Sequence, residues 1–159
     1  MNIQDKTEVR ELIKDACNRL NHGNTIYDSP QAVELLIGTW AVESNGGKYL
    51  RQIRGGPALS AWQIESATFQ DTITRCWPVQ RYVLNVSAGV QAISINDFEK
   101  IETNHILAIQ IARLKYFLGP GEIPQSMTGQ AAYWKVFFNT RFGKGTTEKY
   151  IEKYQKYAM

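Results

Sequence analysis

The run Ala32-Val33-Glu34-Leu35-Leu36-Ile37-Gly38-Thr39-Trp40-Ala41 constrains this chain more than any other segment. Ser29 before it is a good helix cap, and Pro30 suits the first helical position. Gly46-Gly47 stops it. A helix apolar on nearly every face has no solvent side, so other elements must wrap it. The fold has to be built around this helix, and 159 residues are enough for one domain with a sizeable core.

The wrapping elements follow from helical spacing. Val9, Leu12, Ile13, Ala16, Cys17 and Leu20 form one stripe, ended by Asn21-His22-Gly23-Asn24. Phe69, Ile73 and Cys76 share a face of a helix starting at Glu65 or Ser66 and interrupted by Pro78. Tyr82, Val83, Val86, Val90 and Ile93 fit one or two short helices between Val79 and Ile95. Thr103 or Asn104 caps a helix carrying Ile106, Leu107, Ile111, Leu114, Phe117 and Leu118, and Gly119-Pro120-Gly121 breaks it. Pro124-Gln125-Ser126 opens another, with Met127, Ala131, Trp134, Phe137 and Phe138. After a predicted turn over residues 139–145, Thr146 or Thr147 caps a last helix bearing Tyr150, Ile151, Tyr154 and Tyr157. No run of any length alternates as a strand does. Lys48 to Ile64, with Gly55-Gly56-Pro57, reads as a long loop or short irregular β structure, and long ordered loops often carry function. The expected class is mainly α, a single domain over residues 1–159.

Charge narrows the partners. A net +3 from 18 scattered Lys+Arg and 15 Asp+Glu is mildly basic, without the dense patch of a nucleic-acid binder. No segment approaches the ~20 apolar residues of a membrane span. Met1-Asn2-Ile3-Gln4-Asp5-Lys6 lacks a signal-peptide pattern, so synthesis in a cytoplasm without that signal is expected. Cys17 and Cys76 read as two buried free thiols. His22 and His105 lie far apart and no zinc-ligand spacing occurs, so no metal or cofactor is expected.

Glu43 stands where the apolar helix runs out into a glycine loop. A carboxylate half in a core and half in a cleft has the raised pKa that a general acid needs.

Three segments resemble one family. Glu43-Ser44 closes the helix; Ala58-Leu59-Ser60-Ala61-Trp62-Gln63-Ile64-Glu65-Ser66-Ala67-Thr68 follows the glycine loop; Phe138-Asn139 follows a late helix. In order and spacing they are similar to the signature of lysozyme-like lytic transglycosylases: Glu-Ser, a gap, Gly-Ala-x-Gly-x-x-Gln-x-x-Pro-x-Thr, then Tyr-Asn. The late Phe-Asn-Thr and Gly-Lys-Gly-Thr segments look most like bacteriophage versions. The resemblance implies a lysozyme-like fold with a glycine-rich active-site loop, acting on peptidoglycan glycan strands. Glu43 would protonate the glycosidic oxygen of the β-1,4 bond between N-acetylmuramic acid and N-acetylglucosamine. It would then take the muramyl 6-hydroxyl proton, leaving a 1,6-anhydro end without water. Burial beside Trp40 would raise its pKa. Ser44 would bond Glu43 or the sugar, Gln63 an N-acetyl group or the cleft backbone, Trp62 would stack on a sugar or pack in the core, and Asn139 would shape the cleft.

The sequence departs from the pattern at Ser60 for glycine, Ser66 for proline and Phe138 for tyrosine. If the backbone at Ser60 needs positive φ, serine there is strained. Phe138 lacks a phenol, for which nearby Tyr133 is a candidate replacement. A hydrolytic muramidase would need a second carboxylate or a positioned water; Glu65 and Asp71 are the nearest in sequence, at no family catalytic position. A non-catalytic phage structural or glycan-binding protein of the same fold is the alternative from another class. An enzyme could be an endolysin or a virion-carried lysin with phage tail or virion partners, acting in the periplasm or cell wall.

Overall fold

A computed structural model describes residues 1–139 and 143–159; the predicted turn over 139–145 includes Thr140, Arg141 and Phe142, which lie outside the described residues. Among the described residues seven α-helices carry the fold: α1 Lys6–Asn18, α2 Pro30–Ser44, α3 Ser66–Arg75, α4 Pro78–Ala88, α5 His105–Phe117, α6 Met127–Trp134 and α7 Thr147–Lys153. Short 3-10 segments occupy Ile53–Gly55 and Ile95–Glu102. The last turns of α6 and α7 widen to π geometry over Lys135–Asn139 and Tyr154–Ala158. Among the described residues β structure is limited to isolated bridges, of which Arg51 with Leu59 and Leu59 with Ile64 brace the glycine loop.

The caps are local and follow the sequence. Ser29 Oγ accepts the Ala32 N–H (3.2 Å), Asn104 Oδ1 that of Leu107 (3.1 Å), Ser126 Oγ that of Gly129 (3.0 Å) and Thr146 Oγ1 that of Lys149 (3.1 Å). One boundary differs. Pro78 does not interrupt a helix; α3 ends at Arg75, and Pro78 is the first residue of α4, where its missing N–H is harmless. The 3-10 stretch Ile95–Glu102 has no counterpart in the sequence reading; Ser94 and Asp97 cap it reciprocally.

Helix α2 is the axis. α1, α5, α6 and α7 pack on it, and Leu35, Leu36, Ile37, Trp40 and Ala41 are at most 1 % exposed. Each large side chain buried this way contributes about 1.5–3 kcal/mol. The helix is tied to its neighbours by polar bonds as well. Trp62 Nε1 donates to Leu36 O (3.0 Å), Tyr150 Oη donates to Leu35 O (3.3 Å), and Thr39 Oγ1 meets Tyr116 Oη (2.7 Å). Gly38 is required by this packing, because a Cβ there would collide with the Tyr150 hydroxyl. Tyr150 is wholly buried, so the tyrosine stripe of α7 begins as core. Cys17 and Cys76 are free and buried. Among the described residues no helix is long and apolar enough to cross a membrane.

Candidate functional site

A cleft of about 600 Å³ opens where α2 ends, walled by the glycine loop, the start of α3, the last turn of α5 and the π turn after α6. Glu43, Gln63, Phe138 and Asn139 all line it. These segments are far apart in sequence and meet because α5 and α6 pack against α2.

Glu43 is half-buried in the last turn of α2, with protein close around its carboxyl and one edge on the cleft. Trp134 Nε1 donates to its Oε1 (2.9 Å). Burial pushes its pKa up from the ordinary 4.5 to about 7; the Trp134 bond and the Lys115 charge pull the other way and lose. Near neutral pH such a group is divided between acid and base forms, so it can both give and take a proton. The indole bonded to it is Trp134, not Trp40; Trp40 Nε1 is turned to Ile3 O (2.9 Å).

Lys115 sits in the same cleft on the final turn of α5. Its Nζ donates to Phe138 O (2.8 Å) and stands 4.3 Å from the Phe138 ring centroid. Burial lowers its pKa, while Glu43, Glu65 and Asp71 raise it. The Phe138 ring, itself 6 % exposed, stacks on Tyr116 at 5.2 Å. Phe138 thus acts through its carbonyl and ring, as the seat of the ammonium. Tyr133 is no replacement phenol. Its hydroxyl donates to Tyr116 O (3.4 Å), and it lines a different pocket.

Gln63 is placed by its backbone and by two carbonyls. Its Nε2 donates to Tyr49 O (3.2 Å) and Ser60 O (2.9 Å). Only the amide nitrogen can face two carbonyls, which leaves Oε1 as the acceptor available to the cleft. Asn139 Oδ1 accepts from Lys135 Nζ (2.8 Å), which also binds Gly143 O (2.8 Å).

Three expected site residues support the cleft from behind. Ser44 is fully buried; its Oγ donates to Trp40 O (2.9 Å) and accepts the Gly47 N–H (2.9 Å), closing the end of α2 rather than touching Glu43 or a sugar. Ser60 has φ of +74°, the strained conformation anticipated for serine in place of glycine. It is buried, and its Oγ accepts the Trp62 N–H (3.1 Å), an Asx-like turn that offsets part of the strain. Trp62 is 0 % exposed with its indole N–H spent on α2, so it stacks on no ligand.

Lys115 is a cleft group that the sequence motif did not contain, and Trp134, which does not line the cleft, bonds the acid from behind. Lys115 had a signal: it lies four residues after Ile111 and eight after Leu107, on an apolar face where a lysine must find a reason to stay. Trp134 reads as core, and it is core, yet its N–H reaches the acid. Glu65 is the exposed N-cap residue of α3 and lines the cleft with Glu43. Arg51 of the glycine loop pairs with Glu99 (3.2 Å) and Glu102 (2.6 Å) and is not turned to the cleft. A second depression of about 420 Å³ lies on the other side of Thr68 and Lys115, which line both, and is bordered by Asp71 and Arg75. Among the described residues no cluster of His, Cys, Asp and Glu could hold a metal. No family model, no curated protein and no solved structure matches this chain.

Proposed function

We propose that this chain is a lysozyme-like peptidoglycan lytic enzyme, a lytic transglycosylase of bacteriophage type with Glu43 as its single acid and base. The observation that carries the reading is a carboxyl on the wall of an open cleft with a pKa of about 7. A group so poised donates a proton to a glycosidic oxygen and accepts one back from an attacking hydroxyl. The two depressions that share Thr68 and Lys115 leave surface on both sides of these residues for a polymer longer than one sugar. Gln63 Oε1 is an acceptor for an N-acetyl N–H, and Asn139 shapes the opposite wall. Lys115 keeps the Glu43 carboxylate tolerable once its proton has gone. Phage delivery, as endolysin or as virion component, belongs to the same proposal.

One observation favours hydrolysis as the second reading: Glu65 lines the same cleft and is free to position a water. Mass analysis of material released from sacculi separates the two. Anhydro-muramyl ends are the expected product. Reducing ends, lost in Glu65→Gln, would make the enzyme a muramidase. Release of nothing by the wild type would leave the fold as a binding or structural module.

A further inference from the structure

A second pocket, of about 400 Å³, lies at the other end of α2. Ser29 and Gln31, at the start of the helix, form one wall; Phe117 and Ile123 form another; Arg113 lines it. Arg113 is only 6 % exposed. Its Nε donates to Tyr27 O (2.8 Å) and the guanidinium lies over the Tyr27 ring at 5.5 Å. Among the described residues its two terminal amino groups donate to no protein acceptor, and it belongs to none of the ion pairs. The nearest attracting carboxylate, Asp28, is engaged by Asn18 (3.0 Å) and Asn21 (2.9 Å).

An arginine buried to this degree ordinarily has a partner for its fork, and its terminal nitrogens are not sealed from solvent but reach the open space of the pocket. Here the fork opens into a pocket beside the first turn of a fifteen-residue helix, where Pro30 carries no N–H, Ser29 accepts those of Ala32 and Val33, and the Gln31 N–H is the donor left for an anion. We propose that this pocket binds a small carboxylate carried on an apolar body of about amino-acid size. The planar guanidinium takes the two carboxylate oxygens, and Phe117 and Ile123 receive the body. Exposed Glu122 also lines the pocket and repels a phosphate dianion more than a monoanionic carboxylate. This inference is independent of the glycan reading, and Glu43 takes no part in it.

The test uses the full chain, ¹⁵N-labelled, titrated separately with benzoate and with inorganic phosphate. Benzoate is expected to shift the Gln31 and Ile123 amides and the Arg113 Nε–H saturably, at lower concentration than phosphate. Arg113→Met weakens this at least about tenfold. Because Arg113 also secures Tyr27, Ile123→Glu is made beside it; a charged group where the apolar body should sit abolishes benzoate binding in a chain that keeps Arg113. Shifts that never saturate, or that survive both variants, would overturn the site. Tighter binding of phosphate than of benzoate would overturn the carboxylate assignment.

Discussion

The two ends of α2 pose the same electrostatic problem and solve it differently. At its C-terminus, where the helix dipole is negative, stands the acid Glu43. At its N-terminus, where the dipole is positive, stands the cation Arg113. Each group is closely surrounded by protein and carries the sign that its end of the helix disfavours. Glu43 relieves the conflict by keeping its proton to about pH 7. Arginine cannot lose its proton near neutrality, so its relief comes from the Tyr27 carbonyl, from solvent in the pocket and, under the proposal above, from an anion. Under the two proposals, the difference in chemistry between the residues makes one end of α2 a proton-transfer site and the other an anion-binding site.

The sharpest way to break the comparison is at the acid. Glu43→Gln keeps the shape and the Trp134 contact but removes the proton, so release from sacculi falls by about a thousandfold while the far-ultraviolet spectrum is unchanged. Activity retained by this variant would remove Glu43 from catalysis.

Stability should record the same residue with the opposite sign. The folded pKa of Glu43 lies above that of the unfolded chain, so folding takes up a proton between pH 4.5 and about 7. The contribution is complete below pH 4.5 and is lost as pH rises through about 7, to the extent of about 3 kcal/mol. Denaturant unfolding across that range should show the decline in the wild type. Glu43→Gln should remove that component and be the more stable protein at pH 8. Arg113→Met should leave the slope in place, because Arg113 is charged throughout.

A smaller effect concerns the turn that holds Gln63. Ser60→Gly and Ser60→Ala both lose the bond to the Trp62 N–H, but only glycine relaxes at φ +74°. The glycine variant should be the more stable by about 1 kcal/mol in urea unfolding. Equal stabilities would mean that the turn is unstrained.

The smallest effect sharpens the role of Lys115. Its charge favours the ionised form of Glu43, so Lys115→Met raises the pKa of the acid. A reaction needing protonated Glu43 then loses rate at higher pH, and the alkaline limb of the activity profile moves upward. A limb that stays in place would reduce Lys115 to a tether for Phe138.

What was readable in the chain was what neighbours in sequence decide. The apolar run, Ser29, Pro30 and the glycines fix α2 and its end, because capping and burial periodicity act within a few residues. The same holds for the caps at Asn104, Ser126 and Thr146. Glu43 at a helix end was visible on that basis, whereas Ser60 as a strained position and Gln63 as a cleft residue were expected only from the family resemblance. Which way Trp62 points was not, because a tryptophan fits a core and a sugar cleft equally and only the approach of α2 chose the core. Nor could sequence pair Glu43 with Trp134, 91 residues away, or bring Lys115 beside it. The sequence by itself determined most of the helices and their caps and placed Glu43 at the end of α2. The tertiary structure decided the acid's proton affinity, since a pKa depends on burial and on charges that only folding brings near.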